Sequence, residues 1–146
     1  MSKSNTFEND LLQLLFNNVD IADIGDAGGL QNSATAGSLY LALHTADPGE
    51  GGNATTNESA YGSYARVAVA RTVGGWTVSG NQASNAALAQ FPECSSGSET
   101  ITHVSITTAS SGTSKILYSG ALTASRAIST GIQPQFAIGA LTVTED

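Results

Sequence analysis

The sequence has little of what makes a protein reactive or basic. In 146 residues it holds one cysteine, one tryptophan and three prolines, and five Lys and Arg stand against twelve Asp and Glu. A single cysteine, Cys94, cannot close an internal disulfide or build a cysteine-based zinc site, so synthesis in a reducing compartment is expected. The cations Lys3, Arg66, Arg71, Lys115 and Arg126 are scattered. They form no phosphate-binding stripe, which argues against nucleic acid as a partner. No apolar run approaches the roughly 18 residues of a membrane span. The opening Met1-Ser2-Lys3-Ser4-Asn5 lacks the basic-then-apolar order of a secretion signal, so neither membrane nor export is expected. Charged residues make up 12%, too few for a coiled coil or a charge-driven disordered chain.

What is abundant is small. Ser and Thr fill 34 positions, Ala 21 and Gly 16. Short hydroxyl and β-branched side chains suit short strands and turns, and long helices poorly. The length allows one domain with a sizeable core.

Periodicity divides the chain near residue 37. Before it, Asn5 or Thr6 can cap a helix with Glu8 in its first turn. Leu11, Leu14, Leu15 and Val19 recur at helical spacing, and Leu12 and Phe16 widen the stripe. Gly25, Gly28 and Gly29 are expected to end the helix. Residues 1–36 therefore read as an arm with a short amphipathic helix, and 37–146 as a β domain. The arm residues Leu11, Leu12, Leu14, Leu15, Phe16 and Val19 are candidates for partner binding, or else for packing on the chain's own sheet.

From Ser38 the period is two. Leu39, Leu41 and Leu43 share one face, and Ala46-Asp47-Pro48-Gly49 makes a turn. Gly49 to Ser59 reads as a long exposed loop. Strands are expected over Tyr64–Val73, Trp76–Ser79, Ala86–Phe91, Glu99–Thr108 and Lys115–Leu122. A weaker one covers Ala127–Ile132, and Gln135–Thr144 is bent at Gly139. Seven to nine short strands predict a single antiparallel β-sandwich of jelly-roll type with an N-terminal helix. Leu39, Leu41, Leu43, Val67, Val69, Val104, Ile106, Ile116, Phe136 and Val143 are the expected core, with Trp76 as an anchor.

Chemistry is hard to find. His44, Asp47 and Glu50 lie within seven residues, but a metal site needs several such groups converging. His44 and His103 read as ordinary sheet histidines. No Gly-x-Ser-x-Gly elbow aims a nucleophile, and no Lys-Ser or Lys-Thr follows Gly28-Gly29 to make a phosphate loop. Asp20, Asp23 and Asp26 lack calcium-loop spacing and read as a solvated acidic face. Cys94 has no basic neighbour to activate it. No catalytic residue, metal ligand or cofactor is expected.

Several blocks carry a resemblance. They are Ser38 through Gly49, Thr56-Asn57-Glu58 followed by Tyr64-Ala65-Arg66-Val67, and Gly75-Trp76-Thr77-Val78. Asn85-Ala86 leading to Phe91-Pro92, Ile101-Thr102-His103 and Ile116 through Leu122 continue the series. Their order and spacing resemble a family of small tailed-bacteriophage virion proteins, described variously as tail-fibre or head decoration (cement) proteins. The resemblance implies a non-enzymatic structural protein. The first expectation is a decoration protein on the capsid surface, made in the host bacterial cytoplasm. It would clamp the major capsid protein and pair with copies of itself as a dimer or trimer. A tail-associated or tail-fibre component, with a receptor or carbohydrate as ligand, is the alternative.

Overall fold

The computed structural model describes all 146 residues, Met1–Asp146. Strand occupies 36% of the chain and helix 9%, so the protein is mainly β with one N-terminal helix, as expected. The elements are α1 (Asn5–Asn17), β1 (Ser38–His44), β2 (Val67–Ala70), β3 (Trp76–Ser79), β4 (Gln82–Asn85), β5 (Ala89–Gln90), β6 (Ser98–Thr107), β7 (Ile116–Ser129), β8 (Gln135–Phe136) and β9 (Thr142–Thr144). They fall into two compact units, each discontinuous in sequence. One comprises Met1–Ser38, Val69–Leu88 and Phe136–Asp146; the other comprises Leu39–Ala68 and Ala89–Gln135.

The first unit sets α1 against a three-stranded sheet of order β3-β4-β9. Ser4, in extended conformation, caps the helix: its hydroxyl accepts from the Phe7 N–H at 3.3 Å. This is one or two residues earlier than expected, since Asn5 and Thr6 are already helical. The helix stops at Asn18 in the left-handed region (φ 57). The Val19 N–H returns to the Gln13 carbonyl at 3.2 Å. Asparagine tolerates that conformation, so the stop comes well before the glycines expected to provide it. Leu12, Phe16, Trp76, Ala83, Leu141 and Val143 are buried here, with Phe16 and Trp76 ring centroids 4.6 Å apart.

The second unit holds most of a four-stranded sheet of order β2-β1-β6-β7. β1 and β6 are antiparallel, with Leu41 opposite Ile106, Leu43 opposite Val104 and His44 opposite His103. Both are inner strands, and Leu41 through His44 are buried without alternation. β6 pairs in turn with β7, which runs through the break expected after Leu122. β4 was missing from the expected strands because Gln82-Ala83-Ser84-Asn85 carries no apolar alternation. Its partners β3 and β9 supply the apolar side chains instead. The bend at Gly139 is real (φ 74) and separates β8 from β9. Of the expected core, Leu39, Leu41, Leu43, Val104, Ile106 and Val143 are buried; Val67, Val69, Ile116 and Phe136 are half-buried.

Candidate functional site

The densest polar cluster lies at the end of β1 in the second unit. His44 is 0% exposed. Its Nε2 stands 2.7 Å from Ser105 Oγ and its Nδ1 2.9 Å from the Thr56 carbonyl. A carbonyl can only accept, so Nδ1 carries the proton and Nε2 accepts from the serine hydroxyl. A serine beside an imidazole looks like a nucleophile with its base. Here Ser105 is 1% exposed, and the group orienting the imidazole is a main-chain carbonyl, not a carboxylate. The pair works as a strut that ties β6 through β1 to the loop carrying Thr56. Burial lowers the His44 pKa from its ordinary value, against the raising effect of its bond to Thr56.

Beside it, Arg66 and Glu58 make a two-pronged ion pair, Nε to Oε1 at 2.6 Å and Nη2 to Oε2 at 2.8 Å. The same guanidinium donates to the carbonyls of Ala109 at 2.9 Å and Gly112 at 2.8 Å, so it also pins the turn before β7. Its hydrogen bonds to the Glu58 carboxylate raise the Arg66 pKa. The Tyr64 hydroxyl donates to Glu58 at 3.1 Å and accepts the Leu43 N–H at 3.0 Å; burial pushes its pKa up. Glu99 accepts from the Ser59 hydroxyl and from the N–H groups of Ala60 and Tyr61. Tyr61 donates its hydroxyl to the Pro92 carbonyl at 2.9 Å, and burial pushes its pKa up to about 12. The segment expected as a loose loop over Gly49–Ser59 is therefore anchored, with Ala54 and Ser59 buried.

The remaining candidates are also structural. Asp47 accepts the Gly49 N–H at 2.8 Å, closing its own turn, and no three His, Cys, Asp or Glu side chains are grouped to hold a metal ion. Asp20 accepts the Asn32 N–H at 2.7 Å and Asp26 the Gly28 N–H at 2.8 Å. The expected acidic face is thus partly a set of loop staples, closed by the bridge between Ile21 and Leu30. Gly29 is required there: its φ is +61, and a side chain would collide with the Ile21 carbonyl. Cys94 is wholly buried with its thiol toward the Ser96 carbonyl. Trp76 is wholly buried, and its indole N–H has no hydrogen-bond partner.

The arm residues divide. Leu12 and Phe16 are 0% exposed inside the first unit; Leu11, Leu14 and Leu15 are half-buried, and Val19 is 48% exposed. Two struts in this unit escaped the sequence reading. Arg71 donates to the helix-end carbonyls of Leu14 at 2.6 Å and Leu15 at 2.7 Å, and to Ala36 at 3.1 Å. Asn85, 1% exposed, donates to the carbonyls of Ala87 at 2.7 Å and Ala137 at 2.9 Å, and accepts the Leu141 N–H at 2.9 Å. Neither belongs to a local motif. Their partners lie up to 57 residues away, so no spacing rule could have found them.

These features define a mainly-β protein whose reactive side chains serve as internal braces. The family model described as "Podophage GP4 fiber I protein gp80" matches residues 2–144. The chain belongs to that family of phage virion proteins, in agreement with the resemblance carried by its sequence blocks. No individual curated protein matches it.

Proposed function

We propose that the chain is a non-enzymatic structural component of a phage tail fibre. The observation that carries this reading is the family model, whose description names a fibre protein and which spans nearly the whole chain. The site chemistry supports it. His44 and Ser105 have reactive geometry but no access, and the charged side chains Glu58, Arg66 and Glu99 are bonded to loops. Such bracing suits a protein that must keep its shape outside a cell.

This reverses the order expected from sequence, where capsid decoration came first. Contact with the rest of the virion falls to side chains not taken up inside, among them Leu11, Leu14, Leu15 and Val19 on the arm. The test is to label the chain with gold-conjugated antibody on intact virions and to count its copies. Label on the tail in tens of copies is expected. Label spread over the head in hundreds of copies would overturn the fibre reading in favour of a cement protein bound to the major capsid protein.

A further inference from the structure

The sheet of the second unit ends on β7, and that edge is unusually long. Strands commonly run about 5–6 residues; β7 has 14, with β6 on one side and no strand on the other. A free edge offers a row of main-chain donors and acceptors to any extended chain. Natural edges are blunted by shortness, by Lys or Pro, or by inward-pointing charge. Ile116–Ser129 contains no Lys, Pro, Asp or Glu, and its one charge is Arg126. From Ser119 to Ala127 every residue is exposed except Leu122, which is half-exposed. The side chains there are mostly Ser, Gly, Ala and Thr, which let a second backbone come close. A Cβ added at Gly120 would meet nothing within 4 Å. The ladder with β6 is also interrupted. Ile101 pairs with Arg126 and His103 with Ala121, which leaves Leu122–Ser125 opposite Thr102 alone. This four-residue bulge divides the edge, and a second register shift between Ile106 and Thr107 leaves Tyr118–Ala121 as its regular part.

Charge selects the occupant. From Thr100 to Thr144 there is no Asp or Glu; all twelve acids lie outside that run, which carries Lys115 and Arg126. Two copies of an acidic chain repel each other, and least where neither presents an acid. Two-fold antiparallel pairing of β7 about Ser119 sets Ser119 against its own copy. Gly120 then faces Tyr118 and Ala121 faces Leu117, so no like charges meet. An isologous contact of this kind needs only one self-complementary patch.

We propose that a second copy of this chain docks on β7, antiparallel to it and centred on Ser119, so that two sheets join through their edges. The inference does not depend on the fibre reading, since it holds on a head or a tail alike. Directly opposed strand residues lie within disulfide reach, and Cys94 is wholly buried. The full chain should sediment as a dimer, at twice 14.8 kDa. Ser119→Cys treated with diamide should give a covalent dimer, while the unsubstituted chain gives none. The double variant Ala121→Lys, Ala124→Lys should sediment as a monomer with an unchanged circular dichroism melt. A wild-type monomer at about 100 µM, a typical weak-association limit well above micromolar Kd, would overturn the proposal. So would failure of the Ser119→Cys chain to cross-link, whatever the lysine variant does.

Discussion

Both ring nitrogens of His44 are engaged in the neutral state, with Nδ1 donating to Thr56 and Nε2 accepting from Ser105. Protonation adds a charge to a side chain that is 0% exposed and close to the Arg66 cation; the bond to the Thr56 carbonyl and the Glu58 carboxylate favour it without offsetting burial. The folded pKa is therefore depressed, and the unfolded chain binds the proton more readily. Stability from this residue is fully present above the unfolded value, about 6.5. It is lost as pH falls below that value toward the folded pKa, at a slope of at most about 1.4 kcal/mol per pH unit. Denaturant titrations between pH 7.5 and 5 should show this loss in the wild type and a shallower one in His44→Gln. Equal slopes in the two proteins would refute the assignment. Trp76 makes a second residue-level case. Its ring packs on Phe16 with the indole N–H unpaired, so its value lies in volume. Trp76→Ala should cost about 3–5 kcal/mol. Trp76→Phe should cost clearly less, because it also removes an unsatisfied buried donor. Similar losses in the two variants, measured by chemical denaturation, would count against a volume effect.

Elements here are closed by side chains that arrive from far along the sequence. Helix α1 has its own N-cap in Ser4 and its own stop in Asn18, but no basic residue in its last turn. Arg71, from the segment after β2, supplies that charge to the carbonyls of Leu14 and Leu15. A cation at a helix C-terminus complements the dipole and satisfies orphan acceptors. Arg71→Ala should lower stability by about 1–3 kcal/mol, the range for hydrogen bonds from a charged group with allowance for partial exposure. Hydrogen exchange should quicken first in the last helical turn; uniform loss across the sheet would contradict this. Asn85 plays the same part for two loops, and Asn85→Ala strands the carbonyl of Ala87 and the N–H of Leu141 and leaves the Ala137 carbonyl with the Ala140 N–H alone. What could be read beforehand follows from this difference. Leu39-Tyr40-Leu41-Ala42-Leu43 declares a strand because alternation is local. The helix shows itself through Leu11, Leu12 and Leu15, and the bend through Gly139. β4 stayed hidden because Gln82-Ala83-Ser84-Asn85 borrows its apolar cover from β3 and β9. The struts His44–Ser105 and Arg66–Ala109 were unreadable because they join residues 61 and 43 positions apart. For the same reason Ser105 gave no sign in the sequence that it would meet an imidazole.

At the scale of the molecule, the N-terminal segment matters twice. Residues Met1–Ser38 share a compact unit with Val69–Leu88 and Phe136–Asp146, and Leu12 and Phe16 are wholly buried in it. Lys3 bonds to Glu145 at 3.2 Å, so both ends of the chain meet in that unit. The proposed docking role of the arm then rests on its outer side chains, and folding rests on its inner ones. The two roles are separable by substitution. Phe16→Ala should cost about 3–5 kcal/mol, as for other buried aromatic truncations, and lower the melting temperature. Leu11→Asp and Val19→Asp, at positions that are half-buried and exposed, should change stability far less than Phe16→Ala and weaken incorporation into virions. Deleting residues 1–18 removes the partner of the Trp76 ring and leaves the β3-β4-β9 sheet with one apolar face bare. A sheet needs a covered face to stand in water, so the truncated chain should aggregate or lose its near-ultraviolet tryptophan signal. A truncation that stays monomeric, keeps that signal and melts at the wild-type temperature would show that α1 contributes nothing to the fold. The whole helix would then be left to its partner.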